Sequence, residues 1–344
     1  MVRPAQQLHT WHEPAPLRPA ATILLLRDAP TGLEVLMTRR SERASFAPGA
    51  YVFPGGALDE ADHSPRARTL SRCRPDQHDE VLGSATAAIR EAFEELGILL
   101  ASGPDGEPVP AAAAQRLNRS HDGDLLGQLE AHGWKLALDR IWWFSHWIAD
   151  RDIPRRFDAR FFIARMPEGQ QPSADGKEQF EPTWVAPADG LERHERGQFD
   201  MIFPTIRTLR QLARFRSVAE AIDHCRNQPT VWTSSPRAGL LDGHIERYCE
   251  DEPPYGELEL VVPDGRPLHS LDWQHERPVP LLRNLWRLTA PNPGRMTGPG
   301  TNCYIIGGPG EYVVIDPGPK DFAHVARRSE EHTSVLQSRF GISY

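Results

Sequence analysis

The first ninety residues show short apolar runs separated by polar turns, the pattern expected of a sheet followed by a helix. An apolar run at residues 21–27 predicts a buried strand, and a second at residues 33–38 predicts its partner, with Asp28–Gly32 as the turn between them. A third short strand is predicted at residues 50–53, where Pro54-Gly55-Gly56 ends it.

The spacing of apolar positions changes to three and four residues from Ser84 onward, which predicts a helix ending near Gly97. The remaining patterns predict helices at 111–130 and 205–225 and strands at 142–148, 160–164 and 258–262. This mixture of elements predicts an α/β fold in which a mixed sheet lies between helices.

The amino-acid composition differs between successive segments of the chain. Residues 1–18 are rich in Pro, His and Gln and predict a disordered lead-in, while residues 19–225 carry the patterns of one α/β domain. Residues 226–280 are Pro-rich and predict a linker or small adaptor.

Charge and apolar run length exclude two classes of partner. The chain has 344 residues and a formal net charge of -8, so we expect no nucleic-acid partner, because general nucleic-acid binders present a basic surface. The apolar run at residues 20–26 is too short to cross a bilayer, and no basic segment precedes it as in a signal peptide. We therefore expect a cytoplasmic protein with no membrane partner; its oligomeric state stays open.

The most informative segment is the acidic stretch on the predicted helix at residues 84–97. Glu91 and Glu95 lie one turn apart on one helical face with Glu94 beside them, and Arg90 can pair with a neighbouring glutamate. Oxygen ligands placed in this way suit Mg²⁺ or Mn²⁺. The alternative interpretation is an ordinary solvent-exposed acidic face.

A glycine pair at the end of the third strand supports the metal interpretation. Gly55 and Gly56 allow the backbone to approach a ligand closely, and a carbonyl oxygen there can reach a cation. Taken alone, the pair is also compatible with a simple tight turn.

Together these two elements resemble the Nudix hydrolase signature, G-x5-E-x7-R-E-U-x-E-E-x-G-U, where U is a bulky apolar residue. The second half matches residues 90–98, with Ala92 as a small occupant of the first U position, and the first half begins at Gly56. The first glutamate of the signature falls on Asp62, and 27 residues separate Asp62 from Arg90 where the signature has seven. An insertion of about 20 residues costs little closure entropy, so the two halves can still meet in space. The role of Asp62 stays open.

The segment before the signature is similar to a particular branch of that family, the coenzyme A and acyl-coenzyme A diphosphatases. Residues 36–56 follow the pattern L-L-T-x-R-S-x3-R-x3-G-x3-F-P-G-G, except that its second arginine falls on Ser45. The candidate substrate-binding residues are Arg39, Arg40, Arg43, Gly55 and Gly56. Arginines can bind substrate phosphates as planar forks, and exposed surface arginines are the alternative.

The resemblance implies a divalent-metal-dependent hydrolase that cleaves a diphosphate linked to a nucleoside, with coenzyme A or acyl-coenzyme A as candidate substrates. It implies Mg²⁺ or Mn²⁺ held by Glu91, Glu94, Glu95 and the Gly56 carbonyl, with Arg90 orienting a glutamate. The three glutamates and Arg90 are therefore the expected catalytic residues, and the identity of the general base stays open.

The carboxyl-terminal part has a different pattern. Residues 281–327 contain two predicted strands, glycine turns and Ile315-Asp316-Pro317-Gly318, and they resemble the opening hairpins of a metallo-β-lactamase-fold hydrolase. That family's H-x-H-x-D-H motif does not occur in this sequence, so we expect a truncated, non-catalytic fragment. Residues 328–338 resemble the translation of a common sequencing adapter, and we interpret residues 328–344 as an artefact tail.

Two alternatives to a Nudix diphosphatase remain. One is a nucleotide-binding Nudix module fused to a metallo-β-lactamase-fold hydrolase whose catalytic part is missing from this chain. The other is a non-catalytic nucleotide sensor, although such modules usually lose signature glutamates that are all present here.

Overall fold

Two units make up the chain in this computed structural model. The structure describes residues 4–120, 123–228, 230–271, 275–308 and 311–330. The first unit contains residues 16–149 and 155–234, and the second contains residues 4–15, 150–154 and those from 235 onward. No helix in these described ranges is long and apolar enough to cross a membrane.

The first unit carries ten strands and seven α-helices among its described residues. Its strands are β1 (Leu17–Ala29), β2 (Gly32–Arg40), β3 (Tyr51–Val52), β4 (Gly55–Ala57), β5 (Ala101–Ser102), β6 (Lys135–Leu136), β7 (Ile141–Ile148), β8 (Arg156–Arg165), β9 (Gln179–Val185) and β10 (Thr233–Ser234). Its helices are α1 (Pro65–Thr69), α2 (Leu82–Leu96), α3 (Ala111–Ala114), α4 (Leu125–His132), α5 (Pro187–Glu195), α6 (Phe203–Leu212) and α7 (Val218–Asn227).

A mixed eight-stranded sheet organises this unit. Its main order is β10-β7-β8-β1-β2-β3, and in addition β4 pairs with β1 and β9 pairs with β2. The pairs β1–β8 and β10–β7 are parallel and the others are antiparallel. The mixed α/β prediction is therefore confirmed.

The central strand β1 changes its neighbour along its length. Residues 20–22 pair with β4, whereas residues 26–29 pair with β2. This change brings the glycines of β4 against β1, and α2 packs over both strands. The sheet therefore places the Gly-Gly turn beside the glutamate helix.

Helix α2 is buried on every side. Its apolar positions Ile89, Phe93 and Leu96 lie in the main core, and Gly97 ends the helix in the left-handed conformation with a φ of 69°. The polar side chains of α2 are buried as well, which rules out the alternative of a solvent-exposed acidic face.

Two predicted helices are each divided in the structure. The prediction of one helix at 111–130 is wrong, because α4 begins afresh at Asp124, whose side chain accepts the Gly127 N–H. The predicted helix at 205–225 divides into α6 and α7, because the Ser217 side chain caps α7 by accepting the Glu220 N–H. Polar capping side chains interrupt the apolar spacing at both places.

The second unit contains two antiparallel sheets and two helices among its described residues. Its elements are β11 (Arg237–Leu241), β12 (His244–Tyr248), α8 (Pro254–Val261), β13 (Val279–Leu282), β14 (Leu285–Thr289), β15 (Asn302–Gly308), β16 (Glu311–Ile315) and α9 (Phe322–Glu330). Strands β11 and β12 form a hairpin, and β13 to β16 form a meander.

Two expectations about this unit change. The strand predicted at 258–262 is the end of α8, because Leu258 and Val261 are both buried at the three-residue spacing of a helix and Pro254 favours a helix start. Residues 4–15, expected to be disordered, make backbone hydrogen bonds within the unit, including a 3.0 Å bond from the His12 N–H to Asp264.

The fragment at 281–327 and the preceding stretch share one apolar core. Leu281 of β13 packs with Leu258 and Val262 of the α8 region. Residues predicted as an adaptor and residues predicted as a separate fragment are therefore parts of the same unit.

Phe93 provides a test of the core of the first unit. We expect Phe93→Ala to lower the free energy of unfolding by about 3–5 kcal/mol, because a fully buried aromatic ring would leave a cavity between α2 and the sheet. Urea unfolding followed by circular dichroism measures this change. Trp232→Ala is the control, since Trp232 is 71% exposed, and equal losses in the two variants would contradict this core.

Candidate active site

Arg90 lies at the centre of a buried cluster of carboxylates. Its Nε and one terminal nitrogen donate to the two oxygens of Asp62 at 3.1 and 3.0 Å. The other terminal nitrogen donates to Glu91 at 2.9 Å and to Glu94 at 3.1 Å. Burial by itself would lower the pKa of the Arg90 guanidinium, but the bonds to Asp62 and the charges of Glu91 and Glu94 raise it. Arg90 therefore stays charged and fixes two glutamates.

Asp62 has a defined place in this cluster. Its side chain is almost completely buried and forms a bidentate pair with Arg90. The insertion between Asp62 and Arg90 contains α1 and a 3₁₀ turn at Asp79–Val81, and it folds so that both residues meet. Asp62 thus occupies the position of the first signature glutamate and orients Arg90.

Glu95 is held from two other directions. One carboxylate oxygen accepts the Gly55 N–H at 3.1 Å, and the other accepts the side-chain amide of Gln179 at 2.8 Å. Gln179 in turn accepts the Thr38 hydroxyl at 2.7 Å. Burial, together with the charge of Glu91, raises the pKa of Glu95 to about 8, while Gln179, Gly55 and Arg40 act in the opposite direction.

A side chain at Gly56 would displace the Glu91 carboxylate. A Cβ atom added to Gly56 would lie 2.4 Å from a Glu91 carboxylate oxygen, and one added to Gly55 would lie 2.3 Å from the Ala21 carbonyl oxygen. The glycine pair therefore lets β4 lie against both β1 and the Glu91 carboxylate. Binding of a ligand or a cation by the Gly-Gly turn stays a prediction.

The charges of the cluster fit a divalent cation. Asp62, Glu91, Glu94 and Glu95 are all buried, and the guanidinium of Arg90 bonds three of them. Buried carboxylates in excess of cations are costly unless a further cation compensates them. The donor set, all carboxylate with a neighbouring backbone carbonyl, is the kind that Mg²⁺ and Mn²⁺ prefer.

The carboxylate oxygens of Glu91, Glu94 and Glu95 do not all lie within 4.8 Å of one another. Among the described residues, a group that meets this distance is Cys249, Asp251 and Glu252 of the second unit. On α2, Glu94 turns toward Arg90, whereas Glu95 turns toward Gly55. The carboxylates therefore line a longer path along the helix.

Of the three predicted arginines, the structure brings Arg40 to the site. Arg40 lines a cavity of about 370 Å³ together with Glu91 and the two glycines of β4. Arg39 pairs instead with Glu42 and Glu181, because successive residues of a strand point to opposite faces. Arg43 is exposed and lies outside that lining.

Two residues at the site carry no local signal in the sequence. Gln179, which holds Glu95, lies 84 positions away in the chain, and Arg155 lines the cavity from the start of β8. Only the pairing of β9 with β2 and of β8 with β1 brings them here.

The fold and the site define a class of protein. The structure matches that of a Nudix hydrolase from Alicyclobacillus acidocaldarius with a TM-score of 0.55 and 29% identity, over 61% of this chain and 96% of that chain. The chain therefore has the Nudix hydrolase fold, as the signature predicted.

Particular relatives narrow the class. The chain is 28% identical to the acyl-coenzyme A diphosphatase NUDT19 of Homo sapiens, over 71% of this chain and 82% of the relative. It is 27% identical to the enzyme of the same name from Gallus gallus, over 74% of this chain and 85% of the relative. No family model matches the chain. These similarities support an enzyme of the Nudix type that acts on diphosphate bonds.

Asp62 and Asp59 form a matched pair for testing the cluster. We expect Asp62→Ala to cost about 3–5 kcal/mol of unfolding free energy, because the buried Arg90 guanidinium would lose its bidentate partner. Asp59→Ala removes an exposed carboxylate 3.7 Å from the same guanidinium, and we expect a loss below about 1 kcal/mol. Thermal and urea unfolding measure both, and similar values would contradict the role given to Asp62.

The arginines of β2 provide a second test. We expect Arg40→Gln to lower kcat/KM for a diphosphate substrate about tenfold, since a charge-assisted hydrogen bond to an anion would be lost. Arg39→Gln removes an arginine paired to Glu42 and Glu181, and we expect less than a twofold change. Steady-state kinetics measures kcat/KM for both variants. A larger loss in Arg39→Gln than in Arg40→Gln would overturn this assignment.

Proposed function

We propose that this protein is a divalent-metal-dependent diphosphatase that hydrolyses coenzyme A or an acyl-coenzyme A. The observation that carries the proposal is the buried cluster of Glu91, Glu94 and Glu95 around Arg90, beside the glycine pair of β4. The similarity to proteins named acyl-coenzyme A diphosphatases supports the substrate class.

In this proposal Mg²⁺ or Mn²⁺ is held by Glu91, Glu95 and the Gly56 carbonyl, with Glu94 as a ligand directly or through water. Divalent ions held there would offset the charge of the diphosphate and acidify water for attack on phosphorus. Arg90 orients Glu91 and Glu94 through its hydrogen bonds, and Gln179 orients Glu95.

The remaining residues of the cavity bind the substrate. Arg40 offers its guanidinium to a diphosphate oxygen, and the aromatic rings of Phe46, Phe53 and Phe161 line the walls. In the overall reaction the oxygen of a water molecule bonds to one phosphorus and the bridging P–O bond breaks. Coenzyme A and water thus give 3′,5′-ADP and 4′-phosphopantetheine.

We also propose that the catalytic domain corresponds to residues 19–225, and that residues 281–327 are a non-catalytic segment of metallo-β-lactamase type. The motif at 315–318 and the antiparallel meander of β13 to β16 support that second assignment. Most of residues 328–344, interpreted above as an artefact, lies outside the described residues.

Product analysis tests the proposed activity. The full chain is incubated with coenzyme A, ADP-ribose or NADH in Mg²⁺ or Mn²⁺, and the products are separated by liquid chromatography and mass spectrometry. We expect coenzyme A to yield 3′,5′-ADP and phosphopantetheine, and we expect chelation by EDTA or the substitution Glu95→Gln to lower the rate at least 100-fold. Both changes remove the ligation that the chemistry needs.

Glu130→Gln is the matched control. Glu130 is an exposed carboxylate on α4 that pairs with Arg66 of α1, and it does not line the cavity. Full activity of Glu95→Gln, or activity that survives EDTA, would contradict the proposal. If wild type and variant are equally inert while coenzyme A raises the melting temperature, the chain is instead a nucleotide-binding module.

A further inference from the structure

Two arginines, Arg40 and Arg155, line the cavity and have no ion-pair partner among the residues that the structure describes. Arg40 donates to the Phe46 carbonyl oxygen at 3.1 Å, and Arg155 donates to the Ser45 hydroxyl at 3.0 Å. Across the ranges that the structure describes, no carboxylate lies within 4.0 Å of either guanidinium. Arg39, by contrast, has two carboxylate partners. The charges of Arg40 and Arg155 are therefore available to an anion in the cavity.

The sheet register separates the two ends of the cavity. Gly56 of β4 pairs with Ala21 of β1, and Ala21 pairs with Arg160 of β8. Strand β8 begins at Arg156, four residues before Arg160, so its first residue lies about 13 Å from the level of Gly56 along the strands, at about 3.3 Å per residue. Arg155 directly precedes β8, so its backbone lies well away from the glycines of β4, whereas the charge of Arg40 lowers the pKa of Glu95.

Arg155 is braced in its position. Its guanidinium lies 5.4 Å from the ring centroid of Phe157, which packs edge-on against Phe46 at 5.7 Å. The bond to Ser45 connects it to the loop after β2. Ser45 is also the position where the pattern of coenzyme A diphosphatases has its second arginine. The Arg155 guanidinium, from the residue just before β8, therefore reaches Ser45, where the loop itself carries only a hydroxyl.

We propose that Arg155 is a substrate-binding residue that recognises a phosphate monoester carried by the substrate outside the diphosphate. This inference rests on the proposed function, and it narrows the substrate class to nucleoside diphosphates that carry an additional phosphate. A terminal phosphate bound by Arg155 would fix the nucleoside end while the diphosphate lies at the glutamates. The planar guanidinium suits the paired oxygens of such a dianion.

A comparison of coenzyme A with dephospho-coenzyme A, which lacks the 3′-phosphate, isolates the contact between Arg155 and the additional phosphate. We expect Arg155→Gln to lower kcat/KM for coenzyme A about 10- to 100-fold, mainly through KM, the range expected for a lost hydrogen bond to a charged group. We expect less than a twofold change for dephospho-coenzyme A. Arg155→Lys keeps the positive charge and should restore part of the preference. Arg196→Gln, an exposed arginine paired with Glu192 on α5, should change neither substrate.

Equal losses for both substrates would overturn the assignment, because Arg155 would then act on the shared part of the substrate. If the wild type hydrolyses neither substrate, the proposed function fails, and the phosphate contact is tested by binding. Titration calorimetry then compares 3′,5′-ADP with AMP. Tighter binding of 3′,5′-ADP that Arg155→Gln abolishes supports the contact, and equal affinities in the wild type overturn it.

Discussion

The bonds between the Arg90 guanidinium and three buried carboxylates are the interaction on which the site depends. Asp62 fixes one edge of the guanidinium, and Glu91 and Glu94 share one of its terminal nitrogens. Without that cation the carboxylates would repel one another in a region where water cannot screen them. Their remaining negative charge supports the proposal of a divalent cation at this helix face.

The sheet complements this cluster by supplying its opposite wall. Strand β1 pairs with β2 at residues 26–29 and with β4 at residues 20–22. The two glycines of β4 allow this strand to lie against Glu91 and β1 with no intervening side chain. The parallel pairing of β8 with β1 also brings Arg155, the residue just before β8, to the cavity. One set of strand pairings thus positions both the glycines beside Glu91 and the arginine before β8.

In the second unit, one segment with the alternating apolar and polar residues of a strand is part of a helix. The run Leu258-Glu259-Leu260 alternates like a strand, yet Leu258 and Val261 are buried together on a helix that begins at Pro254. That helix shares its core with β13, so the segment resembling a metallo-β-lactamase opening packs with the residues that precede it. Local alternation was too short a signal to decide between helix and strand.

The sequence by itself determined the glutamate helix, the strands before it and the glycine turn, because each rests on local spacing and on residue types with strong conformational preferences. It also indicated the class of chemistry, since three glutamates in five positions together with the Gly-Gly turn resemble the Nudix signature. Tertiary structure alone showed that Asp62 bonds Arg90 and that Gln179 bonds Glu95. It also showed that Arg40 and Arg155 line the cavity, whereas Arg39 does not. These residues lie many positions from their partners, and only strand pairing and the folding of a long insertion bring them together.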